Sequence, residues 1–265
     1  LLLTTIVSAL KDHPAIGLWN LGNEPDLFAQ PPGAASGQAW VREMTTIIKA
    51  IDPQHPVTCG LHIASLLEDN GLRVDQVFTA ADVAVMHAYP MYLNWARSPL
   101  DPELVPFACA LTTALCGKPV LMEEFGGCTA RPGQRSYDWA WLGYGRPMKQ
   151  FMAAEDDLAQ YLAAVLPRLI DVGATGALLW CFADYAEELW DRPPCSESRH
   201  ERFFGLVRSD GSLKPHAQVI RAFADTQPLV STHPIKCVTL PMTPDEFYQD
   251  PNQIAQQLYQ QYLAE

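Results

Sequence analysis

The sequence predicts an α/β fold built on a parallel sheet with helices against both faces. Short apolar runs alternate along the chain with stretches of helical period, which is the pattern of repeated strand–helix units. Each apolar run is nearly continuous, as expected for strands buried on both faces. The pattern favours a barrel or a doubly wound sheet over a sandwich, and 265 residues correspond to one large domain or two small ones.

The first half of the chain contains three predicted strands. Residues 6–11 are the end of a predicted helical segment, and the apolar run at 14–23 leads into a polar turn. Residues 38–51 repeat apolar side chains at helical spacing. Strands are then expected at 56–61 and 82–87, with 74–80 leading into the latter.

The second half continues the alternation. We expect helices at 107–116, 155–172 and 215–224, and strands at 118–125 and 175–182. The remaining segment, 227–265, has a different character: a possible strand at 235–240, a turn flanked by proline, and a glutamine-rich helix at 252–263.

Charge and motifs exclude several classes of function. The formal net charge is -12 with a pI near 4.9, which argues against nucleic acid or an anionic membrane as a partner. No apolar run is long enough to span a bilayer. The seven cysteines and seven histidines lack metal-ligand spacing, and no nucleotide-binding or serine-nucleophile motif occurs, so the sequence predicts no metal and no cofactor.

Polar and acidic residues follow four of the expected strands. They are Asn23 and Glu24 after the first strand, His87 and Tyr89 after the third, Glu123 and Glu124 on the fourth, and Trp180 on the fifth. Barrels of this class place their active sites at the carboxyl ends of the strands. Glu24 and Glu124 are far apart in sequence, so only a closed fold could bring them across one cleft.

This set resembles the (β/α)8 TIM-barrel glycoside hydrolases that carry their acid on strand four and their nucleophile on strand seven. It is most similar to family 5, which includes cellulases and endo-β-mannanases. The resemblance covers roughly residues 1–225. The matching motifs, in the family's order, are Asn23-Glu24-Pro25, His87-x-Tyr89, Glu124-Phe125-Gly126 and Trp180.

The resemblance implies a retaining glycosidase acting on β-linked oligo- or polysaccharides without a cofactor. Glu24 would be the general acid/base and Glu124 the nucleophile, with their carboxyl groups ~5 to 5.5 Å apart. Glu24 must then carry a proton, and Glu124 must be ionised with a lowered pKa.

The resemblance also implies roles for the supporting residues. Asn23 would bind the sugar 2-hydroxyl, Tyr89 would donate to Glu124, and His87 would line the same face. Trp180 would stack on the sugar ring.

Other interpretations of these residues remain open. Glu24 could cap a helix, His87 and Tyr89 could form a polar pair in the core, and Trp180 could fill the core. Glu123 could be the nucleophile, although strand alternation points it to the opposite face from Glu124. Four further tryptophans are expected in long loops after strands, where aromatic side chains often line a sugar-binding groove: Trp95, Trp139, Trp141 and Trp190.

One departure from the family concerns the position of Glu24. If it ends strand four, three strand–helix units of ~30 residues each should precede it, yet only strands four to eight can be placed. We therefore expect residues 1–225 to be part of a TIM-barrel catalytic domain, residues 226–265 to be a C-terminal appendage, and the chain to be the C-terminal part of a longer hydrolase. The alternative function is a noncatalytic carbohydrate-binding protein derived from such an enzyme.

Overall fold

The computed structural model describes residues 1–230 and 233–264. The strands in this part of the chain are β1 (Trp19–Asn23), β2 (Val57–Gly60), β3 (Ala84–His87), β4 (Val120–Gly126), β5 (Tyr137–Gly143), β6 (Arg146–Met152) and β7 (Gly176–Trp180). The α-helices are α1 (Leu2–Leu10), α2 (Pro25–Phe28), α3 (Ala34–Ile51), α4 (Ala64–Leu67), α5 (Val74–Ala80), α6 (Leu104–Cys116), α7 (Glu155–Asp171), α8 (Pro215–Asp225), α9 (Pro244–Phe247) and α10 (Pro251–Ala264). Short 3-10 helices lie at Pro90–Tyr92, Glu187–Leu189 and Arg199–Phe203.

Five parallel strands stand side by side in the order β1, β2, β3, β4, β7. β1 pairs with β2, and β3, β4 and β7 form one sheet. Between β2 and β3, the backbone N–H of His87 donates to the Leu61 carbonyl oxygen at 2.9 Å, and that of Ile63 donates to the His87 carbonyl oxygen at 2.9 Å. Each of the five predicted strands is present, and their spatial order is their order in the chain.

This arrangement is that of a TIM barrel, with five of the eight strands of that fold found in the described residues. In the described residues these five strands do not form a closed barrel, because β1 and β7 each pair with a strand on one side only. On β7 and just beyond its end, Leu178 and Phe182 are more than half exposed. In the described part of the chain, every helix is too short or too polar to cross a bilayer.

The largest apolar core lies between the strands and their covering helices. It joins residues of β2, β3 and β4 to α5, α6, α7 and α10. Tyr259 of α10 is fully buried, with its ring centroid 4.9 Å from that of Phe107 and 5.5 Å from that of Trp95. The C-terminal helix therefore shares the core of the strand–helix units.

The strand predicted at 235–240 is wrong. Described residues 233–240 form no strand, and the backbone N–H groups of Ile235 and Lys236 both donate to one acceptor, the carbonyl oxygen of Asp171. Prolines at 234 and 241 flank this segment and lack the N–H that a ladder requires. The apolar pattern of this segment is therefore not accompanied by pairing with another strand in the described residues.

A β-hairpin replaces the loop expected between the fourth strand and α7. β5 and β6 pair antiparallel from Tyr137↔Met152 to Gly143↔Arg146. Tyr144 and Gly145 form the turn with positive φ values of 50° and 70°, the conformation of a two-residue hairpin turn of type I′. Trp139 and Trp141 therefore lie on a strand rather than in a loop.

Candidate active site

The carboxyl ends of the parallel strands surround a cavity of about 410 Å³. Of the six residues to which the family resemblance gives a role, five line it, and the sixth, His87, lies against Glu24 and Glu124. The lining residues are Asn23, Glu24, Leu27, His62, Tyr89, Tyr92, Glu124, Trp180, Glu201 and Phe204. The fold therefore brings the predicted site residues together at one end of the sheet.

Glu24 has an unusual backbone. It follows β1 in the left-handed region, with φ 51° and ψ 49°, and its N–H donates to the carbonyl oxygen of Gly60 at 3.0 Å. Such a conformation costs a residue other than glycine about 1–3 kcal/mol and clusters at functional sites. The side chain is 15% exposed, so the carboxyl group is largely enclosed yet open to the cavity.

The two predicted carboxylates approach each other closely. One carboxylate oxygen of Glu24, one of Glu124 and a ring nitrogen of His87 all lie within 4.8 Å of one another. Both glutamate side chains are about one-seventh exposed. Two carboxylates this close cannot both ionise freely.

His87 lies between the carboxylates at the end of β3. Its Nδ1 is 3.0 Å from Oε1 of Glu24, and its Nε2 is 3.2 Å from Oε2 of Glu123. Burial opposes the charged ring, but the hydrogen bonds to Glu123 and Glu24 and the charges of Glu124 and Glu24 outweigh it and raise the pKa of His87 to about 9. His87 is therefore an imidazolium at neutral pH.

The expectation of a lowered pKa at Glu124 is wrong for this structure. Burial raises the pKa of Glu124, and the nearby charges of Glu24 and Glu123 add to the rise. The His87 cation and the hydrogen bond from Tyr89 act in the opposite direction without cancelling it. Sequence alone could not weigh these opposing effects, because they depend on how deeply the carboxyl group lies.

The expectation that Glu123 faces away from Glu124 is also wrong. Both side chains reach the ring of His87, with Oε2 of Glu124 3.6 Å from Nδ1. The pairing of β4 with both neighbouring strands is irregular after Met122. This irregularity interrupts the simple alternation on which the prediction depended.

Tyr89 and Trp180 are also part of the cavity wall. The hydroxyl of Tyr89 donates to Oε2 of Glu124 at 3.0 Å, and its ring meets that of Phe204 edge-on at 6.1 Å. Trp180 ends β7 and is partly exposed to the cavity. Its exposed part is available to a ligand, so it does not serve only as core filling.

The sequence analysis did not identify five of the cavity residues: Leu27, His62, Tyr92, Glu201 and Phe204. His62 had a usable signal, because it directly follows the apolar run that became β2. Its Nδ1 accepts the N–H of Ala64 at 3.1 Å, which places the proton of the neutral ring on Nε2. Burial lowers the pKa of His62, so the ring is a neutral donor beside Glu24.

The other tryptophans have mainly structural contacts. Trp95 packs on Tyr259, and Nε1 of Trp141 donates to the carbonyl oxygen of Glu197 at 2.6 Å. Trp190 lies near the guanidinium groups of Arg131 and Arg202, each 5.4 Å from its ring. It lines a separate cavity of about 180 Å³.

The cluster of Glu24, His87 and Glu124 has the spacing of a metal site. An imidazolium, however, has no free lone pair for a metal ion. A metal ion would therefore have to displace a ring proton of His87 before it could bind this cluster.

Comparison with known proteins identifies relatives of the chain. The family described as glycosyl hydrolases family 2, TIM barrel domain, matches residues 2–226. Mannan endo-1,4-beta-mannosidase 4 of Oryza sativa subsp. japonica is 33% identical over 44% of this chain and 30% of its own length. A probable mannan endo-1,4-beta-mannosidase C of Aspergillus terreus is 32% identical over 47% of this chain and 35% of its own. The chain thus spans about a third of the length of these curated relatives.

Solved structures share the fold. An exo-beta-1,4-mannosidase from Opitutaceae bacterium strain TAV5 is 26% identical, with a TM-score of 0.64 over 85% of this chain and 40% of its own. A GH5_18 protein from Streptomyces cattleya in complex with GlcNAc is 17% identical, with a TM-score of 0.75 over 98% of this chain and 62% of its own.

Proposed function

The chain belongs to the glycosyl hydrolase family 2 TIM-barrel family, and we propose that its cavity is the active site of a retaining β-glycosidase. The observation that carries the proposal is the approach of Glu24 and Glu124, whose nearest oxygens lie within 4.8 Å. Carboxyl groups of retaining enzymes stand ~5 to 5.5 Å apart, whereas inverting enzymes need ~6.5 to 9.5 Å to admit a water molecule between them.

In the first step, Glu24 is the general acid. It gives its proton to the glycosidic oxygen while a carboxylate oxygen of Glu124 attacks the anomeric carbon from the other side. The bond from the anomeric carbon to the leaving oxygen breaks, and an ester bond to Glu124 forms. Glu124 must be ionised for this attack, and the Tyr89 hydroxyl and the His87 cation stabilise that carboxylate.

In the second step, Glu24 is the general base. It takes a proton from water, and the resulting hydroxide attacks the anomeric carbon and displaces Glu124. The product regains the original anomeric configuration, and both glutamates return to their starting protonation states.

The remaining predicted residues bind and orient the sugar. Asn23, beside Glu24 on the cavity wall, binds the 2-hydroxyl of the sugar being cleaved. Trp180 offers an aromatic face to the axial C–H groups of the same ring. His87 holds the carboxyl group of Glu24 through Nδ1.

A β-linked mannoside is the substrate class that we propose. Support comes from the mannan endo-1,4-beta-mannosidases related to this chain and the exo-beta-1,4-mannosidase of similar structure. The similar structure of a GH5_18 protein from Streptomyces cattleya supports a place near family 5 within this fold. Endo and exo action both fit these relatives.

We also propose that the free edges of β1 and β7 bind further strand–helix units of a longer hydrolase, with residues 1–225 as part of its barrel and residues 226–265 as an appendage. Exposed apolar residues on β7 and just beyond its end support this, since such surface is normally covered. A longer polypeptide that adds such units should protect the amides of β7 from hydrogen exchange. Unchanged exchange would reject this interpretation.

The test of function measures hydrolysis by the longest available form of the protein. Aryl β-mannoside and mannan are compared with aryl β-glucoside and cellulose. We expect mannosides to be cleaved fastest, and Glu24→Gln and Glu124→Gln each to lose about a thousandfold or more in rate. Glu188→Gln, at an exposed position, is the matched control.

Wild-type rates in either active-site variant would reject the assignment. Sugar binding without cleavage by the wild-type protein would favour the noncatalytic alternative.

A further inference from the structure

Glu123 lies beside the carboxylate pair, although the mechanism above gives it no part. Its side chain is 14% exposed and makes two hydrogen bonds. Oε2 faces Nε2 of His87 at 3.2 Å, and Oε1 accepts the side-chain N–H of Asn20 at 2.8 Å. Both carboxylate oxygens are therefore engaged away from the sugar cavity, whose lining does not include Glu123.

Asn20 is itself held in one orientation. Its Oδ1 accepts the backbone N–H groups of Gly22 and Gly60, both at 3.0 Å. Two donors at this atom identify it as the amide oxygen, so the NH₂ group must face Glu123. The backbone of β1 and β2 thus fixes the position of the Glu123 carboxylate.

Both ring nitrogens of His87 face carboxyl oxygens: Nε2 faces Glu123, and Nδ1 faces Glu24 at 3.0 Å and the ionised Glu124 at 3.6 Å. A neutral imidazole has one N–H and one lone pair, so it can donate through only one of the two nitrogens. An imidazolium can donate to Glu123 through Nε2 and to Glu24 through Nδ1. The charged or titratable groups that face this ring are Glu24, Glu123, Glu124 and the neutral His62.

We propose that Glu123 is a positioning residue, whose carboxylate keeps His87 doubly protonated so that the ring holds Glu24 and Glu124 in their reactive arrangement. This inference rests on the proposed function for its effect on catalysis. The direction of the shift agrees, since the hydrogen bond to Glu123 is the largest of the effects that raise the pKa of His87.

The consequence is a chain of contacts from the sheet to the reacting carboxyl groups. The backbone orients Asn20, Asn20 orients Glu123, and Glu123 sets the charge of His87. His87 then donates to Glu24 and lies 3.6 Å from Oε2 of Glu124. Removing the charge of Glu123 leaves the Nε2–H beside a weaker acceptor, although the cavity wall is unchanged.

The direct test is nuclear magnetic resonance of the histidine ring nitrogens in the substrate-free protein. In the wild type we expect both nitrogens of His87 to be protonated at neutral pH. In Glu123→Gln the midpoint should fall by about one pH unit or more, the size of effect produced by one close charge. Glu123→Asp should recover part of the shift, and Glu188→Gln should match the wild type.

Activity provides the second readout. We expect Glu123→Gln to lower kcat about tenfold or more while KM changes less, and its effect to be much smaller in a His87→Gln background, because the two residues act as one unit. Additive effects would overturn the proposal.

The two readouts separate this proposal from the proposed function. A midpoint of His87 that is the same in Glu123→Gln as in the wild type overturns the role of Glu123 even where activity falls. A lowered midpoint in a protein that cleaves no glycoside supports the role of Glu123 in setting the charge of His87 and rejects only the glycosidase activity.

Discussion

The hydroxyl of Tyr89 donates a hydrogen bond of 3.0 Å to Oε2 of Glu124. Tyr89 is 4% exposed, and burial together with the neighbouring Glu124 raises its pKa well above the usual value. The phenol therefore stays protonated and is a permanent donor to the carboxylate. Of the contacts made by Glu124, this one can be removed with the least change in shape.

Tyr89→Phe should slow catalysis without unfolding the protein. A hydrogen bond to a charged group contributes about 1.5–3 kcal/mol, which corresponds to a ~10- to 100-fold loss in kcat/KM. Because this bond lowers the pKa of Glu124, its loss should raise that pKa and move the acidic limb of the kcat/KM profile to higher pH. A limb that stays in place, or moves to lower pH, would contradict the role given to Glu124.

Gly60 leaves room for the contacts behind the active site. A Cβ atom there would lie 3.0 Å from the carbonyl oxygen of Gly22, 3.1 Å from Nδ2 of Asn20 and 3.2 Å from Cε1 of His87. Gly60→Ala should displace these groups by a few tenths of an ångström and lower kcat/KM about tenfold, because misplacement of catalytic groups is costly.

The matched control for this change is Gly17→Ala, where a Cβ meets nothing within 4 Å. It should retain full activity. Equal activity of the two alanine variants would show that the position of His87 does not depend on this close approach.

Asp26 makes stability depend on pH. Burial raises its pKa to about 6, against hydrogen bonds from Ser65 and from the backbone of His62 that lower it. Its unfolded-state pKa is about 3.9, so the folded protein binds the proton more tightly. Protonated Asp26 therefore contributes stability that is fully present below pH ~4 and is lost as the pH rises through about 6.

Asp26→Asn should remove this part of the pH dependence, which amounts to about 3 kcal/mol. The measurement is the free energy of urea unfolding of both proteins between pH 4 and pH 7. The difference between wild type and variant should change in favour of the variant as the pH rises. A constant difference would contradict a raised pKa at Asp26.

Substitutions of Tyr259 measure how much the C-terminal helix α10 contributes to the stability of the fold. Its hydroxyl donates to Oδ2 of the fully buried Asp101 at 2.6 Å. Tyr259→Phe should cost about 1–3 kcal/mol of unfolding free energy, because it leaves a buried carboxylate short of a donor. Tyr259→Ala should cost about 3–5 kcal/mol, since it also leaves a cavity. Losses below about 0.5 kcal/mol in both would mean that α10 contributes little to the fold.

Much of this arrangement could be predicted from the sequence, because the signals were local. The five parallel strands were continuous apolar runs, and Glu24, His87 and Glu124 stood at their ends. The direction of Glu123 could not be predicted, because the irregularity in β4 arises from pairing with two other strands. The prediction of a strand at 235–240 was wrong for the same kind of reason, because an apolar segment forms a strand only where another strand can pair with it. The pKa of Glu124 depends on burial and on the charges of His87 and Glu24, which lie at the ends of other strands and are not visible in the segment around Glu124.

The central claim is that Glu124 is the nucleophile of a retaining mechanism, and covalent trapping tests it most directly. A 2-deoxy-2-fluoro-β-mannosyl fluoride should form a stable ester in the wild-type protein and in Glu123→Gln. Peptide mass spectrometry should then find the sugar on Glu124. Attachment to Glu123 or Glu24, or turnover of unmodified substrate to a product of inverted anomeric configuration, would contradict the account.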